Sequence, residues 1–368
     1  MKVFQFVPED PNTGRSGADL RNASLAASLA EACAFKQVLL DAGEQDANPR
    51  AKHALNTALK QVSAGDILLF EGSFYAAAMR IARQRFGNSV GIVCDFHNVE
   101  ADLLKSNDLA RLGPLAHAVC RARWRHAQAL DARAISIADV ILVCSHADGG
   151  RVRKLGAQNV SIVPNVAPDW CALVETEKAS DARAGGKAHV VFVGHLGYPP
   201  NKRAVSFLVR RVLPVLKERL RDAQVTIAGR RPGARMRRMI ERAGQRLLAD
   251  PASMMSVYQA ADCAVMPLTE GGGTRIKALE AFASGVPVVA TRKAVEGLAV
   301  RDGQHVLVAH TATTFANAII RLTEDRDLRA KIVGEARAYV LAHHGPSAVH
   351  GVLSPLIARL GEALPTQT

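Results

Sequence analysis

The chain has 368 residues, of which 48% are hydrophobic, 22% charged and 5% aromatic, and its formal net charge is +13. At roughly 150 residues per domain the length suggests about two domains, and a disordered chain, a collagen-like repeat and a small disulfide scaffold are excluded. No apolar run approaches the roughly 20 residues that span a bilayer, and the opening MKVFQFVPEDPNTGRSG lacks a long apolar leader. A cytoplasmic protein is therefore expected, with peripheral contact at the inner membrane surface left open.

The first half alternates short apolar strands with helical stretches. VFQF (3–6), VLL (38–40), DILLF (66–70), VGIVC (90–94), DVILVC (139–144) and VSIVP (160–164) read as strands. Stretches 18–33, 50–64, 74–86 and 115–138 have helical period. Apolar strands separated by helices imply a parallel sheet covered on both faces. Residues 171–188 are polar, small and without period, which marks a linker after a first domain of 1–170. The pattern restarts over 189–342 with HVVFVG (189–194), QVTIAG (224–229), DCAVMP (262–267), VPVVAT (286–291) and HVLVA (305–309). The expectation is an α/β protein of two Rossmann-like, doubly wound domains facing across a cleft. The amphipathic stretch within 343–368 is open to packing on either domain, the N-terminal one included.

The six cysteines are too far apart for zinc spacing and read as reduced, buried thiols. The charge is uneven. Residues 201–246 hold 14 basic and 3 acidic residues, nearly all of the chain's excess. Such a run reads first as a solvated face. Attraction to anionic lipid stays open. Nucleic acid is disfavoured, because Phe207 is the only aromatic in the segment. The basic helix RARWRHAQALDAR (121–133) is a second candidate for a lipid-bearing partner.

The richest stretch is MPLTEGGGTRIKALEAFASGVPVVAT (266–291). Gly271, Gly272 and Gly273 let the backbone approach a ligand, and the start of the helix near Thr274 or Arg275 suits an anion. Lys277 lies in the first turn, where a cation is unfavourable unless an anion is expected. Glu280, three residues on, shares its face. A phosphate-holding cation beside a ribose-accepting carboxylate would suit a nucleotide diphosphate. The competing reading is a tight loop with a Lys–Glu surface pair. His97 directly follows the strand 90–94 and so sits at a carboxyl strand end. Gly14 and Gly17 flank a strand-to-helix turn that lacks both the dinucleotide and the Walker A spacing. Asp325 and Asp327 form the one literal DxD, but they open a helix and read as first-turn acids. Adjacent His343 and His344 lack carboxylate partners in sequence, so no metal site is expected.

This glycine-rich stretch resembles the donor-binding segment of retaining GT-B glycosyltransferases, family 4, the "glycosyl transferases group 1" type. GRSGADLRNASLAASLAE (14–31), DFHNVEADLL (95–104), residues 138–168, FVGHLGYPPNKRAVSFL (192–208) and TIAGRRP (226–232) resemble further family segments, in the family's order. The resemblance implies metal-independent transfer, with retention, of a sugar from a nucleotide-diphosphate sugar to a hydroxyl acceptor in polysaccharide or glycoconjugate assembly. No cofactor is implied, and a lipid-linked acceptor is left open. His97 and Lys277 would be catalytic. Gly17, Gly194, His195, Lys202, Arg230, Gly271, Gly272, Gly273, Thr274, Arg275, Lys277 and Glu280 would bind the nucleotide sugar. Two departures stand out. Many members carry a glutamate eight positions before Glu280, where this chain has Gly272, with Glu270 out of register. Many also carry an arginine where His195 follows Gly194. A scaffold with a decayed donor site and a nucleotide-sugar epimerase are the alternative readings.

Overall fold

The computed structural model describes residues 1–9, 17–41, 49–99, 114–168, 188–272 and 275–365. The chain forms two compact units. One is built from Met1–Val166 together with the segment from Pro346 onward, and the other from Ala167–Gly271 and Arg275–Gly345.

The N-terminal unit runs β1 (Lys2–Val7), α1 (Gly17–Ala32), β2 (Ala34–Leu39), α2 (Pro49–Leu59) and β3 (Ile67–Glu71). A short 3-10 turn (Ser73–Tyr75) leads into α3 (Ala76–Phe86), β4 (Gly91–Phe96), α4 (Pro114–Ile137), β5 (Val140–Val143), α5 (His146–Lys154) and β6 (Val160–Ile162). The strands pair in parallel in the order β2-β1-β3-β4-β5-β6. The central strands β3 and β4 are buried at every residue, as unbroken apolar runs covered on both faces should be. Two expectations shift. The strand expected at 38–40 occupies Ala34–Leu39, because AFKQVL is an edge strand whose polar residues hide it from an apolar-run reading. The helix expected over 50–64 ends at Leu59.

The C-terminal unit runs β7 (His189–Val193), α6 (Pro199–Phe207), a π-helical turn (Leu208–Val212), α7 (Leu213–Arg219), β8 (Gln224–Gly229), α8 (Ala234–Arg242) and β9 (Arg246–Ala249). It continues with α9 (Met254–Gln259), β10 (Cys263–Met266), α10 (Ile276–Ala283), β11 (Val288–Ala290), β12 (Leu307–Val308), α11 (Ala312–Glu324) and α12 (Arg326–His343). Its parallel sheet has the order β12-β11-β10-β7-β8-β9. Read from the other edge, this is the doubly wound order 3-2-1-4-5-6. Strand β9 was not anticipated, since RLLA is a short edge strand with an exposed arginine.

The last helix, α13 (Pro346–Glu362), belongs to the N-terminal unit. Its Val349, Leu353 and Ile357 share a buried cluster with Leu25 and Leu29 of α1. The cysteines among the described residues are free, with Cys94, Cys144 and Cys263 buried and Cys33 and Cys120 half-buried. Among the described residues no helix is long and apolar enough to cross a membrane.

Candidate functional site

Ligands of open α/β sheets bind outside the carboxyl ends of the strands, where the strand order reverses. In the C-terminal unit that point lies between β7 and β10. Gly194 closes β7, and its N–H donates to Ala228 O at 3.1 Å. A Cβ on Gly194 would fall 2.8 Å from Lys277 Nζ and 2.9 Å from Asn201 Nδ2. A Cβ on Gly229, at φ +143, would fall 1.8 Å from Gly194 O. Two loop backbones therefore touch here, and only glycine permits it.

Asn201, buried on α6, ties this floor together. Its Nδ2 donates to His195 O at 2.9 Å, and its Oδ1 accepts from Lys277 Nζ at 3.0 Å. The Lys277 ammonium also lies 5.1 Å over the Phe192 ring. Among the described residues it pairs with no carboxylate. Burial first, then repulsion from Arg275, outweighs the pull of Glu280 and lowers the Lys277 pKa to about 7. The Lys–Glu surface pair weighed from the sequence does not form. Glu280 Oε2 instead accepts from the Tyr258 hydroxyl at 3.0 Å. Burial raises the Glu280 pKa against the opposing effects of Tyr258 and Lys277.

The loop before α10 turns on Gly271, at φ +105, where a Cβ would meet the Arg275 guanidinium nitrogens at 2.9 Å. Arg275 closes the loop by donating to Glu270 O at 3.3 Å. The buried Glu270 carboxylate pairs through Oε1 with Arg203, while its Oε2 has no hydrogen-bond partner among the described residues. Gly272 is half-buried, and Gly273 and Thr274 lie outside the described residues. On the other side of the floor His195 is exposed. Partial burial, then the charges of Arg231, Arg230 and Lys202, lower its pKa. The structure thus gathers Gly194, His195, Lys202, Arg230 and Lys277 around one loop, with Glu280 one helical turn further along α10.

In the N-terminal unit the order reverses between β1 and β3. A pocket of about 210 Å³ opens there, lined by Pro8, Ala18, Glu71, Gly72, Ser73, Phe74, His97 and Asn98. Register sets its chemistry, because Glu71 at the end of β3 pairs with Asp95 near the end of β4. His97 follows two residues on. Its Nε2 lies 2.9 Å from Glu71 Oε2 and 3.1 Å from Asp95 Oδ2. Both carboxylates are fully buried, and Arg21 compensates them. It meets Asp95 through Nε at 2.6 Å and through its second terminal nitrogen at 2.5 Å. Its remaining terminal nitrogen donates to Val163 O and Asn165 Oδ1, each at 2.9 Å. Gln5 Nε2 donates to Glu71 Oε1 at 2.6 Å.

Burial alone would lower the His97 pKa, but hydrogen bonds and charge from Asp95 and Glu71 outweigh it and raise it to about 9. Burial opposes ionisation of Asp95, yet the Arg21 guanidinium holds that carboxyl well below the usual range. The Glu71 pKa is raised by burial and by Asp95, against His97 and Gln5. Glu71, Asp95 and His97 also place three ligand-type atoms within 4.8 Å of one another. Two carboxylates there already face two cations, Arg21 and the imidazolium. With Nε2 engaged, Nδ1–H is the ring's remaining donor, and no described residue accepts from it.

Arg21, Glu71, Asp95 and Asn201 were not singled out from the sequence. Arg21 falls on the stripe of α1 that buries Leu25 and Leu29, and Glu71 and Asp95 end apolar strands. Charge at such positions is a readable signal, because a buried charge must be paired. Gly17 is exposed as the first residue of α1, while Gly14 lies outside the described residues. Asp325 caps α12 by accepting from Leu328 N at 2.9 Å. His344 Nε2 and the Tyr339 hydroxyl are hydrogen-bonded at 3.0 Å. Arg121, Arg123 and Arg125 are exposed on α4, with Trp124 half-buried.

Comparison with known proteins bears on the family and the fold. The family "Glycosyl transferases group 1" matches residues 187–325. A 105-residue stretch is 36% identical to D-inositol 3-phosphate glycosyltransferase of Acidothermus cellulolyticus, covering 28% of this chain and 23% of that protein. The matched stretches span less than half the length of the curated relatives. Among solved structures, sucrose-phosphate synthase of Thermosynechococcus elongatus aligns with a TM-score of 0.75 at 17% identity, over 99% of this chain and 100% of that one. Anabaena HepE, solved in complex with UDP-glucose, aligns with a TM-score of 0.72 at 16% identity, over 98% and 100% of the two chains. Residues 187–325 are therefore a glycosyl transferases group 1 segment, set in a chain with the GT-B fold.

Proposed function

We propose that the protein is a retaining glycosyltransferase that moves a sugar from a nucleotide-diphosphate sugar to a hydroxyl acceptor. The observation that carries this reading is Lys277. It is a desolvated cation at the strand-order switch point, held by an amide rather than a carboxylate, above a floor of glycine backbone. Such a group lacks its counter-ion, and a diphosphate supplies one. The family match and the UDP-glucose bound to the similarly folded HepE point the same way.

In this mechanism the departing diphosphate gains charge as the sugar–oxygen bond breaks. Lys277, Arg275 and the N–H groups at the start of α10 meet that charge. A diphosphate beside Lys277 raises its pKa again and holds it protonated. Glu280, fixed by Tyr258, accepts the ribose hydroxyls. His97 stays an imidazolium, because Glu71 and Asp95 bind its proton at Nε2, and it offers Nδ1–H to a ligand oxygen in the pocket of the N-terminal unit. Lys277 and Arg275 take the role a metal ion would otherwise fill, which supports metal-independent transfer. Retention follows the family resemblance, and assembly of a polysaccharide or glycoconjugate is the setting it suits.

The test is thermal unfolding against a panel of nucleotide diphosphates and their sugars. Ligand at 100 times its dissociation constant should add ~2.7 kcal/mol of stability. The expected result is stabilisation by one nucleotide series, abolished in Lys277→Ala. Stabilisation by none of them, or an equal shift in the variant, overturns the reading.

A further inference from the structure

The C-terminal unit also carries an open groove of about 610 Å³, lined by Val209, Arg210, Arg235, Arg238, Met239, Arg242 and Ala243. None of the residues assigned above to the donor lines it. One wall is α8, which buries Met236 and Ile240 and exposes Arg235, Arg238 and Arg242. The other is the π-helical turn, in which the N–H of Leu213 reaches back five residues to Leu208 O. Leu208, Val209 and Val212 face the core from this turn, while Arg210 and Arg211 are exposed. A π turn sets one extra residue into a helix and re-aims its neighbours, and such turns recur at functional sites. Here it brings Arg210 to the groove, where its Nε–H rests 3.3 Å from Met239 Sδ.

Among the described residues none of the four groove guanidiniums pairs with a carboxylate. Glu241, on the same helix, does not line the groove. Four like charges around one apolar floor repel each other, and an anion relieves that repulsion.

We propose that this groove docks the protein on an anionic phospholipid surface. Arg210, Arg235, Arg238 and Arg242 take the lipid phosphates, for which the planar guanidinium fork is well matched. Half-buried Met239 and Ala243 face the glycerol and upper acyl carbons. The apolar floor and open mouth favour a lipid headgroup over a free phosphate, which needs only charge. Nucleic acid is the poorer fit, because no aromatic lines the groove for base stacking. Phe207, the only aromatic of the segment, packs edge-on against Phe315 at 6.0 Å between ring centroids.

The experiment is co-sedimentation of the full chain with vesicles of phosphatidylcholine alone and of phosphatidylcholine mixed with phosphatidylglycerol. Binding is expected only to the mixed vesicles. Each basic residue near such a surface contributes about 1 kcal/mol, roughly fivefold in partitioning. The variant R235Q/R238Q/R242Q should therefore bind ~100-fold more weakly, and the single variant R210Q about fivefold more weakly. All four positions are exposed, so melting temperature and nucleotide stabilisation should match the parent. The proposal is overturned by absence of binding to the mixed vesicles or by equal binding of the triple variant. Tighter binding to RNA or DNA than to the vesicles at the same salt, or equal competition by free inorganic phosphate, also overturns it.

Discussion

Each unit places a cation near its strand-order reversal, and the two units treat it in opposite ways. In the N-terminal unit the imidazolium of His97 is hemmed by two buried carboxylates, and Arg21 balances what remains. In the C-terminal unit Lys277 is desolvated, and among the described residues its ammonium hydrogen-bonds only to the side-chain oxygen of Asn201. The first site is complete without a ligand and presents a fixed hydrogen-bond donor. The second is left short of negative charge. A strand-order switch point shows where a ligand can bind, and the unbalanced charge shows which kind of ligand belongs there.

The contrast is broken most severely at Arg21. Arg21→Ala leaves the Asp95 carboxylate buried without its partner, which should cost the N-terminal unit about 3–5 kcal/mol. Hydrogen exchange of β3 and β4 amides measures this, and a loss below about 1 kcal/mol would contradict the assigned pairing. Next is Lys277→Ala, which should lower turnover by at least ~100-fold, the scale for removing one charge-stabilising donor. A variant with parental kcat would remove Lys277 from the chemistry.

A smaller effect is expected for Glu71→Gln, which takes one charged hydrogen bond from His97. Its ring should titrate at least about one pH unit lower by NMR, toward the ordinary histidine value. An unmoved titration would show that Asp95 alone sets the charge. The pH effects differ in sign between the units. The raised pKa of His97 gives stability that is full below about pH 6.5 and lost as pH rises through about 9. Lys277 has a lowered pKa, so the unfolded chain binds more protons between about pH 7 and 10.5, and the C-terminal unit gains stability over that range. Nucleotide binding needs the ammonium, so its Kd should weaken roughly 25-fold between pH 6.5 and 8.5 with proton uptake at the upper end. Calorimetry in buffers of different ionisation enthalpy reads that uptake, and a flat Kd with no uptake would contradict the Lys277 assignment.

Much of the fold was legible because central parallel strands are unbroken apolar runs. The edge strands β2 and β9 were displaced or missed for the converse reason, as Lys36 and Gln37 break the apolar run of AFKQVL and the short RLLA opens on an exposed arginine. Lys277 was legible as a cation placed against a helix dipole. Its partner was not, because the pairing with Asn201 joins residues 76 positions apart and depends on how α6 meets α10. The same limit hid the network around His97. Arg21 and Asp95 are 74 residues apart and come together only when α1 lies across the sheet. In both places the charged residue could be read, and the group that completes it had to be seen.

The final helix carries a consequence for how the protein is made. Leu25 and Leu29 of α1 share their cluster with Val349, Leu353 and Ile357, so the N-terminal unit draws on both sides of the C-terminal unit in sequence. During synthesis α1 leaves the ribosome long before its covering helix, a delay on the order of tens of seconds at typical elongation rates. The C-terminal unit has its whole sequence available first. Until α13 arrives, the unit that begins earlier keeps an apolar face open, which makes the nascent chain a substrate for chaperones over that interval.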